Sequence, residues 1–166
     1  MIFQHTIDKV LSGEKTQTRR IVKPTEHMFA GHEGTVWSVL NPKTLGDPQL
    51  RAVYETNKEY AVQPGRGKAA VGRILITNIR HQEDVRYISE EDVKAEGFGS
   101  VYGYLLTWTQ MHDKEAWRMN QVDMSDGDAA NGVYEPHSGN WISYLRGQRP
   151  SGFYRAWVLE FQLVKG

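Results

Sequence analysis

Apolar positions change period several times along the chain, and each change marks an element. In FQHTIDKVLSGEK, Phe3, Ile7, Val10 and Leu11 recur at helical spacing, and Gly13 stands where a left-handed C-terminal cap belongs. A short helix therefore ends at about Ser12. TQTRRIVKP is β-branched and alternating, which predicts a strand with Thr16, Thr18 and Arg20 on one face, ended by Pro24, and places Lys15 in the turn before it. From Thr25 to Glu59 the pattern is weak, with one strand-like patch, GTVWSVL, and turn signals at Asn41-Pro42 and Asp47-Pro48. EYAVQPGRGKAAVGRILITNIRHQEDV predicts a strand, a Gly-Pro turn and a long strand from Ala69 to about Arg80. In that strand Val71, Arg73, Leu75, Thr77 and Ile79 alternate with Ala70, Gly72, Ile74, Ile76 and Asn78.

The second half is more helical. ISEEDVKAEGF has a legible start, with Ser89 as cap and Glu90, Glu91 and Asp92 in the positive first turn, and Gly97 follows its last turn. YGYLLTWTQMHDKEAW predicts one further helix with Leu105, Trp108, Met111 and Trp117 in its apolar stripe. NQVDMSDGDAANGVYEPHSGN is acidic and turn-rich and reads as a surface loop. FYRAWVLEFQLV alternates, Trp157, Leu159, Phe161 and Leu163 against Ala156, Val158, Glu160 and Gln162, as a closing strand. The order of elements predicts an α+β fold, a small mixed β-barrel with helices packed outside it. It forms one domain over 1–166, with insertions around 25–59 and 118–150.

Composition narrows the functional classes. A chain of 166 residues is long enough for one self-sufficient core, and 39% hydrophobic with 24% charged residues is ordinary for a globular protein. The absence of cysteine excludes disulfides, thiolate nucleophiles and Cys-ligated zinc. No apolar run approaches the roughly 20 residues that span a bilayer, so a cytoplasmic protein without a membrane partner is expected. Zero net charge hides an asymmetry. Residues 1–24 carry Lys9, Lys15, Arg19, Arg20 and Lys23 against Asp8 and Glu14, residues 64–86 carry Arg66, Lys68, Arg73, Arg80 and Arg86 against Glu83 and Asp84, and residues 89–135 are strongly acidic. If the two basic segments meet, they form a positive cleft suited to nucleic acid or a nucleotide; otherwise they are solvated surface.

Gly13-x-Lys15-x-x-Thr18-x-Arg20 is the candidate reactive string. The glycine permits the turn, a desolvated lysine loses its proton readily, and arginine offers a planar fork for phosphate or carboxylate. A neutral lysine in reach of a threonine hydroxyl can act as its base, which that weakly acidic hydroxyl needs to attack an acyl carbon.

VLSGEKTQTRRIVKP, followed by YISEEDVKAEGF and the aromatic-rich terminal strand YRAWVLEF, resembles the ASCH superfamily, small barrels related in fold to the PUA RNA-binding domain. The likeness is greatest to bacterial and phage members that open with a helix running into a Gly-x-Lys-Thr-x-Thr-Arg-Arg string, and it leaves 25–59 and 118–150 uncovered. It implies a PUA-like barrel and a cleft for RNA or a modified nucleoside, in a bacterial or phage-infected cell. Many relatives have glutamate where this chain has Thr18. Relatives that hydrolyse N4-acetylcytidine have threonine there, and they use a lysine, that threonine and a later glutamate. These fall on Lys15, Thr18 and Glu90, although this chain is longer than the minimal members. In that scheme Lys15 takes the Thr18 proton, Thr18 attacks the amide, and Glu90 orients the base or protonates the leaving amine. Gly13, Thr16, Arg19 and Arg20 belong to the ligand-binding set, Arg20 or Arg19 meeting a phosphate or the oxyanion.

QPGRGK adds Arg66 and Lys68 as a second anion-binding candidate or a plain hairpin turn. The six histidines form no ligand string, and the acids of DMSDGDAANG miss the calcium-loop spacing, so no metal and no cofactor are expected. Most of the five tryptophans read as packing; Trp141 and Tyr144, interleaved with Arg146 and Arg149, are the candidates for base stacking. Three functions remain: an RNA- or nucleoside-binding module, an amidohydrolase on N4-acylated cytidine with ribonuclease as a variant, and a protein-interaction module. No obligate protein partner is indicated.

Overall fold

The computed structural model describes residues 1–30, 36–42, 49–125 and 138–164. In chain order it contains α1 (Ile7–Ser12), β1 (Gln17–Ile21), β2 (His27–Ala30), β3 (Val36–Pro42), β4 (Leu50–Glu55), β5 (Glu59–Val62), β6 (Gly72–Asp84), α2 (Glu90–Ala95), α3 (Val101–His112), α4 (Lys114–Ser125), α5 (Ser138–Gln148) and β7 (Arg155–Leu163). One antiparallel sheet has the order β1-β7-β6-β5 and a second the order β2-β3-β4. The fold is α+β, as expected. Among the described residues the strands form these two sheets and no closed barrel, because β1 and β5 end the larger sheet after five and four residues and the smaller sheet packs beside it.

The local signals hold where capping decides the geometry. Gly13 has φ +81° and its N–H donates to Val10, closing α1 as the sequence predicts. Ser89 Oγ accepts from the Asp92 N–H at 3.1 Å, and Gly97 takes φ +82° after α2.

Tertiary packing overrides the simple alternations. β6 carries an extra residue between Ile76 and Asn78, so Ile74, Ile76 and Ile79 are all buried although 76 and 79 have opposite parity. β7 lies between β1 and β6 and is covered on both faces over its first half, so Ala156, Trp157, Val158 and Leu159 are all fully buried. The weak segment 25–59 is a three-stranded sheet whose Val36 and Val39 enter a core with Ile76, Ile79, Trp157 and Leu159. On its other face Trp37 is exposed beside Phe29, their rings 6.2 Å apart.

The expected single helix over 102–117 is two helices, α3 and α4, broken at Asp113, whose backbone (φ −139°, ψ 74°) is not helical. Its buried carboxylate accepts from Arg149 Nε at 2.8 Å, Tyr154 Oη at 2.7 Å and the Ala116 N–H, which stops one helix and starts the next. The expected acidic loop is helical as far as Ser125 and again from Ser138, where α5 starts, and 126–137 lie outside the described residues. Trp141 belongs to the helical core, its Nε1 donating to the Ala116 carbonyl at 3.2 Å, and Arg146 Nε donates to the Arg86 carbonyl at 2.9 Å. The base-stacking role considered for Trp141 is therefore corrected: its indole is core. Among the described residues no helix is long and apolar enough to cross a membrane.

Candidate active site

The turn after α1 is tied down by backbone on three sides. Lys15 N–H donates to Lys9 (2.9 Å), Thr16 N–H to Ala95 at the end of α2 (2.9 Å), and the Thr16 carbonyl accepts from Phe161 in β7 (2.8 Å). Lys9 Nζ adds a bond to the Gly97 carbonyl at 2.7 Å. With α1, α2 and β7 clamped together, the Lys15 side chain has one way to go, inward.

Its Nζ donates to Glu96 Oε2 at 2.6 Å and to the Glu96 carbonyl at 2.7 Å, and both residues are 3% exposed. Burial pulls the Lys15 ammonium below its ordinary pKa, partly opposed by the Glu96 charge and aided by Arg20 and Arg19. The carboxylate beside the lysine is thus Glu96, at the C-terminal end of α2. Glu90 stands in its exposed first turn and does not line the cavity, so the triad of Lys15, Thr18 and Glu90 does not assemble. Six helical residues separate the ends of α2 by about 9 Å at 1.5 Å per residue. The sequence held a signal for Glu96: an acid just before a left-handed glycine lies at the negative end of a helix and needs a cation.

Lys15, Thr18, Arg19, Arg20 and Glu96 line a cavity of about 250 Å³. Phe3 closes one side, with Arg20 5.2 Å from its ring centre and Arg20 Nη2 donating to the Ile2 carbonyl at 2.8 Å. Tyr54, from the segment with the weakest sequence signal, also reaches the lining. The facing wall is α3, which presents Tyr104, Thr107, Trp108, Met111 and His112 at the i, i+3, i+4, i+7, i+8 positions of one helical face. Burial, and next the charge of Arg20, lowers the pKa of His112, so its imidazole is neutral at pH 7.

The two basic segments do meet, but on carboxylates. Arg19 Nη2 bonds Asp92 at 2.6 Å and Glu83 at 2.8 Å, its Nη1 reaches Glu96 at 3.3 Å, and Arg80 Nη2 bonds the same Asp92 oxygen at 2.9 Å. Gln17 donates to the other Asp92 oxygen at 3.0 Å. This is an internal ion network behind the cavity, whose own lining holds Lys15, Arg19, Arg20 and Lys23 with Glu96. Gly13, Thr16, Arg66 and Lys68 do not line the cavity. Gly13 shapes the turn, the exposed Thr16 gives backbone bonds, and exposed Arg66 and Lys68 lie in the β5–β6 connection, which reads as the plain turn. No group of three His, Asp or Glu side chains among the described residues is placed to hold a metal ion.

No family model matches the chain, and no curated protein matches it. Two solved structures are similar to it. The DUF984 protein EF3133 of Enterococcus faecalis V583 is 12% identical with a TM-score of 0.48, covering 97% of this chain and 71% of that one. An ASCH domain from Lactobacillus crispatus JV V101 is 14% identical with a TM-score of 0.46, covering 95% and 69%. An ASCH domain is thus among the solved structures that this chain resembles.

Proposed function

We propose that the cavity receives an N4-acylated cytidine or a similarly acylated pyrimidine nucleoside, and that Lys15, Thr18 and Glu96 hydrolyse its exocyclic amide. The observation that carries this reading is the buried Lys15–Glu96 pair, set in the same cavity wall as Thr18. An isolated buried lysine is costly, and burial here favours the neutral amine that a threonine nucleophile needs as its base. Phe3, Tyr104 and Trp108 offer aromatic faces for a planar base. Pockets for drug-sized ligands are about 300–1,000 Å³, so a cavity of about 250 Å³ fits a small ligand better than a strand of RNA. The arginines spent on Asp92, Glu83 and Glu96 weaken the RNA-tracking alternative further.

Lys15 Nζ takes the proton of Thr18 Oγ as that oxygen bonds the acyl carbon. The carbon–N4 bond breaks, and the leaving amine receives the proton back from Lys15 or through Glu96. Water then cleaves the Thr18 ester, its hydrogen restoring the Thr18 hydroxyl, and the carboxylic acid leaves. Net, one amide and one water give cytidine and acid. The finer fold reading, a PUA-like domain of ASCH type, belongs to the same proposal. It is supported by the way the Gly-x-Lys-Thr-x-Thr-Arg-Arg string closes in space on the glutamate of Ala95-Glu96-Gly97-Phe98.

Release of free cytidine from N4-acetylcytidine, followed chromatographically, tests it. Wild type turns over; Lys15→Ala is slower by roughly 10²–10⁴, the usual contribution of a positioned base. Thr18→Val is inactive, while Thr18→Ser, which keeps a hydroxyl, retains measurable turnover. Equal rates in wild type and Lys15→Ala, or no turnover in either, refute the scheme.

A further inference from the structure

Lys15, Arg19, Arg20 and Lys23 line the cavity against a single acid, Glu96. Lys15 is matched by Glu96 at 2.6 Å, and Arg19 by Asp92 and Glu83. Among the described residues, Arg20 and Lys23 have no carboxylate within 4.0 Å. Glu26, the acid nearest Lys23 in sequence, is committed elsewhere: its Oε2 accepts from the Lys23 backbone N–H at 3.1 Å and from Trp157 Nε1 at 2.8 Å.

Arg20 is held in place without being neutralised. Its guanidinium lies 5.2 Å from the Phe3 ring centre, and Nη2 donates to the Ile2 carbonyl at 2.8 Å. The Nε edge is enclosed, whereas Nη1 is accessible and has no partner among the described residues. The charge is felt across the cavity: after burial, Arg20 is the cause that lowers the pKa of His112. Arg20 is half-buried and Lys23 exposed, so both charges stand towards the open side, one as a planar fork and the other as a flexible point charge. A phosphomonoester brings about −1.5 to −2 charges and three acceptor oxygens at neutral pH, which matches two cations where a carboxylate would match one. Thr18 and Arg20 share one face of β1, about 7 Å apart along the strand, with the length of the arginine side chain in addition. An acyl group at Thr18 and an anion at Arg20 and Lys23 thus sit at opposite ends of one ligand, as the exocyclic amine and the phosphate do in a pyrimidine nucleotide.

We propose that Arg20 and Lys23 form a phosphomonoester subsite at the open side of the cavity, so that the site prefers an acylated pyrimidine nucleotide to the free nucleoside. The subsite stands on the unpaired cations, and the acylated substrate rests on the hydrolytic reading above.

Titration calorimetry at low salt with cytidine and its 5′- and 3′-monophosphates measures the preference apart from any turnover. One of the monophosphates binds wild type roughly 10–100-fold tighter than cytidine, the range of a charge-assisted contact. Arg20→Gln and Lys23→Gln each bring that ratio towards one. Lys23→Gln alters only an exposed side chain and so remains informative if Arg20→Gln, which also gives up the Ile2 carbonyl, fails to fold. A wild-type ratio near one, or a ratio that Lys23→Gln leaves intact, overturns the proposal. So does tighter binding of a short RNA than of either monophosphate, which makes the cations a strand-following surface. Cytidine release from N4-acetylcytidine with a ratio near one removes the subsite and keeps the hydrolysis. A ratio that the variants abolish, in a chain that releases no cytidine, supports the subsite and removes the hydrolysis.

Discussion

Glu96→Gln tests the physics under the site without reference to any substrate. The carboxylate is 3% exposed and meets Lys15 Nζ at 2.6 Å and Arg19 Nη1 at 3.3 Å. Glutamine keeps the shape and removes the charge, leaving the Lys15 ammonium buried with neutral oxygens as its only acceptors. Breaking a buried pair by removing one partner costs about 3–5 kcal/mol, whereas replacing both partners by uncharged groups is often close to neutral. At 2–4 °C per kcal/mol for a chain of this size, the single variant melts roughly 6–20 °C below wild type. The double variant Lys15→Met/Glu96→Gln regains most of that loss.

The variant also acquires a pH signature. The folded Lys15 pKa already lies below its ordinary 10.5, and removing Glu96 removes the contribution that was raising it. Between the folded pKa and 10.5 the unfolded chain then binds more protons than the folded one, so stability rises with pH across that window, and below it the deficit is at its full value. Urea titrations at several pH values, on wild type, both singles and the double, measure all of this. A Glu96→Gln loss below about 1 kcal/mol, or strict additivity of the two singles in the double, refutes the claim that Lys15 depends on Glu96 for its burial.

Two further variants probe the scaffold of the site. Gly97→Ala places a Cβ in the left-handed region, 3.0 Å from Lys9 Cδ, whereas at Gly13, φ +81°, the same Cβ meets nothing within 4 Å. Both pay the left-handed penalty of about 1–2 kcal/mol, so Gly97→Ala is the more destabilising in chemical denaturation, and equal losses would deny the crowding against Lys9. For Asp92, burial alone would raise the carboxyl pKa, but the hydrogen bonds from Gln17 and Arg80 and the charge of Arg19 hold it below 3.8. Its stabilisation is therefore present above the ordinary carboxylate pKa and is lost as pH falls through the depressed folded value. Asp92→Asn flattens the stability–pH curve below about pH 4, and an acid limb identical to wild type contradicts the network.

Where a few neighbouring residues decide the geometry, the sequence was enough. Gly13, Ser89 and Gly97 act through their own backbone or the next turn, so the ends of α1 and α2 and the place of Lys15 in the turn before β1 were legible. Burial in β6 and β7 depends on partners remote in sequence, and one extra residue at the β6 bulge shifts the parity that alternation relies on. The 25–59 segment failed for the same reason: Met28, Phe29, Trp37 and Leu50 remain exposed, so no clean inside–outside pattern marks its strands. Asp113 looked like one polar residue on a long helix because its partners, Arg149 and Tyr154, lie about 40 residues further on.

The site shows the same limit in its charges. Reading Glu90 as the catalytic acid came from the family resemblance, whereas the local argument already gave it another role, since an acid in the first turn of a helix is stabilised there. That stability lets Glu90 sit at the surface unaided, and it gives the residue no reason to approach a cation. Glu96 has the opposite circumstance: at the negative end of α2 its charge is unfavourable unless a cation comes to it, and Lys15 and Arg19 both do. The chain likewise spends Arg19 and Arg80 on Asp92 and Glu83 behind the cavity, so the basic segments serve to fix one carboxylate and one lysine in a dry wall. The proposed hydrolysis draws on this arrangement, in which a lysine of lowered proton affinity is held at a fixed position beside a small cavity. A surface made to follow phosphates would have left those guanidinium groups facing solvent.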